Sequence, residues 1–164
     1  MDHDTSSSAD PLDPQAVIGD RVGKIREARG MTRDKLAATL QDLGIDWSRL
    51  TVNRLEIGRR EGVTVRELLA LCLALEVSPV DLLVPAHLTD QAYRVAPRAI
   101  ADAGNVREWI RGEELLTVDR TTIGSDGTED PFTQPAAVLL DAIRWMPADR
   151  AQRVGRRYFE EEDR

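Results

Sequence analysis

The chain has 164 residues, 41% hydrophobic and 31% charged, with aromatics at only 4%; that is enough for one ordinary domain, or a small domain plus a tail, around a mainly aliphatic core. The single cysteine, Cys72, excludes an intramolecular disulfide, and no run reaches the roughly 18 apolar residues of a membrane span. The net charge of −7, taken as a sum, argues against a nucleic-acid partner, so its distribution has to decide.

That distribution is uneven. Residues 1–18 carry four acids and no Lys or Arg, a net −4. Residues 19–60 carry ten Lys/Arg against six Asp/Glu, a net +4. Residues 61–85 return to −3 and residues 86–164 to −4. The basic charge is confined to one stretch, the footprint expected of a local DNA-binding surface.

In chain order, residues 1–16 are rich in Ser, Asp and Pro and read as a disordered tail with little to bury. They have no apolar stretch and do not form a signal peptide. Ile18 to Arg29 is expected to be a first helix, with Ile18, Val22 and Ile25 on one face and Gly30 at its C-terminal stop. Thr32 caps a second helix, whose inner face is Leu36, Ala37, Leu40 and Leu43. Gly44 ends it. Ile45 and Trp47 fill the turn, Trp47 as a core plug. Ser48 (or Asp46) caps a third helix with Val52 and Leu55 inward and Arg49, Leu50, Thr51, Asn53 and Arg54 outward. Gly58 closes it, followed by Arg59 and Arg60.

Thr64 and Glu67 form a capping box for a fourth helix. It is apolar on most sides, which predicts the most buried helix, with Cys72 as an inert core thiol. Ser78 and Pro79 open a fifth helix, and Pro85 closes the unit. Beyond it, Ala92–Pro97 reads as extended, because Pro97 holds Ala96 away from helix. Asn105–Arg111 reads as a helix capped by Asn105 and stopped at Gly112. A Gly- and Pro-bearing loop follows near 118–133. Two amphipathic helices, Pro135–Trp145 and Asp149–Glu162, complete the chain.

Three pieces, IGDRVGKIREARGMTRDKLA, TVNRLEIGRR and TVRELLALCLALEVSPVDLL, together resemble the lambda-repressor-like, Cro-type helix-turn-helix family, also called the xenobiotic-response-element family. The resemblance covers residues 18–85. It implies an all-α fold: a five-helix DNA-binding domain over residues 17–85, followed by a less regular, mainly helical dimerisation or regulatory region over residues 86–164. It places the base-reading positions at Arg49, Leu50, Thr51, Asn53 and Arg54, with Ser48 as the cap. Arginine can bond guanine bidentately, threonine can bond a base or touch a thymine methyl, and leucine offers apolar contact. The resemblance also lays Thr32 and Arg33, at the start of the second helix, over a phosphate. Arg33 stands where the family commonly has glutamine. Lys35, Ser48, Arg59 and Arg60 are further phosphate candidates. Arg26 and Glu56 are implied to form a structural ion pair between the first helix and the end of the third. One departure is a longer connection between Ala37 and the recognition helix, which bears on the angle of that helix.

Other chemistries find no support. A serine–lysine self-cleaving domain needs a lysine beyond the DNA-binding unit, yet the only lysines are Lys24 and Lys35. The only histidines are His3 and His87, so there is neither an HExxH motif nor a Cys/His cluster for zinc. No enzyme activity, cofactor or metal is expected. The leading expectation is a cytoplasmic, homodimeric transcriptional regulator that binds double-stranded DNA as a repressor. A second is an antitoxin-like or adaptor protein whose residues 86–164 bind a protein partner, with autoregulatory DNA binding. A third, ligand sensing, ranks lower because the C-terminal segment is short for a pocket-bearing domain.

Overall fold

The computed structural model describes residues 10–116 and 145–152. The readings of residues 1–9, the loop near 118–133 and most of the two C-terminal helices lie outside them.

Helix α1 spans Pro14–Ala28, starting four residues earlier than the apolar spacing predicts. The cause is local: the Asp13 carboxylate accepts the Gln15 and Ala16 N–H groups and Pro14 occupies the first helical position, two start signals hidden in a polar stretch. Leu12, within the span read as tail, forms a parallel bridge with Tyr93.

Helices α2 (Arg33–Asp42), α3 (Arg49–Glu56), α4 (Val65–Ala74) and α5 (Pro79–Leu83) follow. Thr32, Ser48, Thr64 and Ser78 cap them, each accepting a backbone N–H three residues on, and Thr64 and Glu67 form a reciprocal capping box. Val22, Leu36, Leu40, Val52, Leu55, Leu71, Leu75 and Leu82 are fully enclosed in one aliphatic core. Leu43 departs from its expected inward place: it lies beyond the last turn of α2, 44% exposed.

Helix α4 also departs from expectation. Ala70, Leu71, Cys72 and Ala74 are buried, but Val65, Leu69 and Leu73 are exposed. Their four-residue spacing forms a single stripe on the side away from the core. Apolar composition all round does not bury a helix that has neighbours on one side only. Burial pushes the Cys72 thiol above its ordinary value.

The all-α expectation is overturned beyond Pro85. After a 3₁₀ turn at Ala86–Leu88, strands β1 (Ala92–Ala96) and β2 (Ala99–Asp102) pair antiparallel, Tyr93 opposite Ala101 and Arg94 opposite Ile100. The fold is therefore mostly helical with a small two-stranded sheet. The extended run before Pro97 was readable. Its partner of four residues was too short to show a period.

Helix α6 (Ala103–Arg111) is capped by Asp102, whose carboxylate accepts the Asn105 N–H. The cap is therefore Asp102 and not Asn105. Gly112 ends the helix in the left-handed region at φ +71°. Val17, Val84, Tyr93, Ala101, Ala103 and Val106 make a second core, so α1 serves both. The Tyr93 hydroxyl donates to the Leu83 carbonyl at 3.0 Å, and burial, then the Asp13 charge, push its pKa up to about 12. Arg107 pairs with Asp81 at 2.6 Å and also donates to the Val84 carbonyl, which fastens α6 to α5. Residues 148–152 are helical. Among the described residues no helix is long and apolar enough to cross a membrane.

Candidate nucleic-acid interface

The third helix is held from two sides. On the first, α1 crosses it closely. A Cβ on Gly19 would run into the Leu55 carbonyl oxygen, so only glycine permits this approach of the two backbones. Two helical turns further, the Arg26 guanidinium reaches the Glu56 carboxylate at 2.6 and 3.1 Å and donates to the Met31 carbonyl at 2.7 Å. The Arg26 and Glu56 side chains are 6% and 5% exposed. The Glu56 hydrogen bond, working against burial, holds Arg26 above the ordinary arginine value. Arg33 Nε donates to the second Glu56 oxygen, also at 2.6 Å. One carboxylate thus ties the ends of α1 and α3 and the start of α2 together.

On the other side, the longer connection between α2 and α3 is filled rather than loose. Gly44 turns the chain at φ +81°, and Ile45 and Trp47 are buried. Gln41 donates to the Trp47 carbonyl at 2.9 Å. The Trp47 indole N–H donates to Glu67 at 2.8 Å, while Arg60 lies over its ring, 4.4 Å from the centroid, and pairs with the same carboxylate. Burial is the largest single influence on Glu67 and opposes its ionisation. Together, donation from Thr64 N–H, Trp47 Nε1–H and Thr64 Oγ–H and the Arg60 charge outweigh burial and hold the carboxyl below its ordinary value.

With Val52 and Leu55 locked inward, the rest of α3 forms the opposite face. Arg49, Leu50 and Arg54 are exposed and Thr51 and Asn53 half-buried. The Ser48 hydroxyl accepts the Thr51 N–H at 3.2 Å. Among the described residues, Lys35, Arg54 and Arg59 are exposed cations with no acidic partner. Arg33 and Arg60 are engaged inside the protein, and Arg49 lies near Asp34. Basic charge thus gathers around the starts of α2 and α3 and the segment after α3, and a helix face flanked by unpaired cations suits a polyanion.

Residues 21–86 match the model of the Cro/C1-type helix-turn-helix DNA-binding domain. Over those residues the chain has a Cro/C1-type helix-turn-helix domain. Among solved structures, the chain is similar to the restriction-modification controller protein C.AhdI from Aeromonas hydrophila, at 29% identity and a TM-score of 0.36, over 42% of this chain and 94% of that one. No curated protein matches it significantly.

Three residues of the Cro/C1-type domain were not singled out as site residues from the sequence. Glu67 was read only as the capping-box acid, although it also holds Trp47 and Arg60. Gly19, a glycine inside an amphipathic run, carried a usable signal: such a position implies close backbone approach. Asp34 carried none, because an acid in a first helical turn is ordinary. Among the described residues no group of His, Cys, Asp or Glu is placed to hold a metal ion.

Proposed function

We propose that the protein is a sequence-specific transcriptional regulator, a repressor acting in the cytoplasm, that binds a pseudo-palindromic operator as a homodimer. The observation that carries the reading is the outer face of α3. Arg49, Leu50, Thr51, Asn53 and Arg54 stand on a helix fixed by Gly19, Glu56 and the Val52–Leu55 core contacts. Base edges are read by such a face in the major groove, with half-sites about one helical turn apart in a dimer. Thr32, Lys35, Ser48 and Arg59, with the outer parts of Arg33 and Arg60, supply phosphate contacts around it. Arg26 and Glu56 hold the reading angle. Apolar side chains left outside both cores, Val65, Leu69 and Leu73 on α4 and Trp109 and Ile110 on α6, support self-association.

Selection from a randomised duplex library, followed by competition against random DNA at rising salt, tests the reading. A regulator of this kind enriches a sequence with two related half-sites and keeps its preference as salt rises. Enrichment of no sequence would overturn it. Light scattering of the complex checks the two-to-one stoichiometry.

A further inference from the structure

Glu67 stands in the first turn of α4, yet its carboxylate reaches the chain on both sides of α3. One oxygen, Oε2, accepts the Thr64 N–H at 2.8 Å and the Thr64 hydroxyl at 3.0 Å, which fixes the group to its own helix. The other, Oε1, accepts the Trp47 indole N–H at 2.8 Å and the Arg60 guanidinium at 2.5 Å. Trp47 immediately precedes the Ser48 cap of α3, and Arg60 follows its last residue, Glu56, by four positions. The Arg60 guanidinium also lies over the Trp47 ring, and its Nε donates to the Gly62 carbonyl at 2.8 Å. A capping box uses the Thr64 contacts alone. The two donors on Oε1 serve no part of the cap.

What they do serve is the placement of α3. That helix is only eight residues long and packs against α1 and α2; Glu67 adds a tie to α4 through both of its flanks. The tie is shielded from water, with Trp47 3% exposed and the Glu67 and Arg60 side chains 15% and 25%. Hydrogen bonds to a charge are strong in such surroundings. The two ends of α3 are held differently. Glu56, at the end, is held by Arg26 and Arg33. Near the start, Thr51 borders one open groove together with Trp47, Arg60 and Glu67. Bonds to base edges weaken steeply with distance and angle, whereas long cationic side chains on phosphates tolerate a small shift. Resting on the assignment of α3 as the base-reading helix, we infer that Glu67 is a positioning residue for sequence discrimination. Through Trp47 and Arg60 it sets how the first turn of α3, with Arg49 and Thr51, meets the bases, while the Glu56 cluster sets the end that carries Arg54.

The experiment is library selection and competition binding with the full chain and its Trp47→Phe, Glu67→Gln and doubly substituted variants, run well below the melting midpoint of each. Arg49→Ala and Arg54→Ala, run alongside, report which base pair each end of α3 reads. Trp47→Phe keeps an aromatic plug, changes no charge and removes the N–H donor. The ring is buried away from DNA, so binding changes only through the placement of α3. Trp47→Phe is expected to lower the preference at the base pair lost in Arg49→Ala by about twofold to tenfold, and to leave the salt slope and the base pair lost in Arg54→Ala as they are. Glu67→Gln lowers the same preference, and the double substitution lowers it no further than the larger single effect. Should one variant not fold, the other decides by the same criterion. A folded variant with every base preference intact overturns the inference. So do a loss of affinity for all duplexes alike, the mark of a merely weakened fold, and losses that add in the double variant. If Arg49→Ala changes no preference while the wild type selects a sequence, the inference fails and the proposed function stands. A wild type that selects nothing overturns the proposed function, and this role with it.

Discussion

Arg26 and Glu56 meet at 2.6 Å through side chains that are 6% and 5% exposed, thirty residues apart in sequence. This contact joins the last turn of α1 to the last residue of α3, so the angle of α3 is set by a buried ion pair as well as by packing. Arg33 shares the carboxylate.

Breaking the pair from one side leaves Glu56 with Arg33 alone, or Arg26 with the exposed Glu27 and the Met31 carbonyl, in place of its buried partner. Arg26→Ala and Glu56→Ala are each expected to cost about 3–5 kcal/mol, measured by urea denaturation. The double substitution is expected to cost less than the sum, because neither orphaned charge remains. Full additivity would show that the two side chains do not act as a pair.

Gly19 and Gly23 lie one turn apart on α1 but meet different surroundings. Gly19→Ala places a methyl against the Leu55 carbonyl and is expected to cost about 1–3 kcal/mol, and to weaken DNA binding because α3 must shift. At Gly23 an added Cβ finds only ordinary contacts, 3.6 Å from the Glu56 side chain. Gly23→Ala is therefore expected to stabilise α1 by about 0.5–1 kcal/mol. Thermal melts of the two variants, compared with their duplex affinities, separate the effects; equal melting shifts would count against the close approach at Gly19.

Acid should weaken the fold through Glu67 and Asp81. The Glu67 carboxyl is held below its ordinary value, its donors outweighing burial, and the Ser78 and Arg107 hydrogen bonds hold Asp81 low against burial. A carboxylate whose folded pKa lies below its unfolded value contributes stability above the unfolded pKa, roughly 4, and loses it as pH falls through the folded pKa. Stability measured from pH 7 downward should therefore hold to about pH 5 and decline below it. Glu67→Gln should lower stability at pH 7 by about 1–3 kcal/mol and flatten part of the decline. An unaltered slope would remove Glu67 from the account.

The exposed cations should divide by role. Lys35→Ala and Arg59→Ala are expected to weaken binding to all sequences alike, each reducing the salt slope by about one. Arg54→Ala is expected to relax preference at one base pair by about 1–3 kcal/mol. Binding isotherms on selected and random duplexes at several salt concentrations make the comparison. A Lys35 or Arg59 variant that changed preference at a single position would reverse the assignment.

The sequence by itself determined the domain's local frame. Four helix caps, the stops at Gly30, Gly44, Gly58 and Gly112, and the apolar spacing of Leu36, Leu40, Val52 and Leu55 are short-range signals, written within a few residues of where they act. The concentration of basic charge between residues 19 and 60 was legible for the same reason. Tertiary structure alone decided what depends on elements meeting. It exposed Leu43 and the Val65–Leu69–Leu73 stripe, paired β1 with a four-residue β2, and set Glu67 under Trp47. It also engaged Arg33 and Arg60 inside the protein and placed Asp34 against Arg49. Each of these depends on where elements come to lie against one another in the fold. A side chain's type fixes which partners it can accept, but only the packed fold fixes which of them lies within reach.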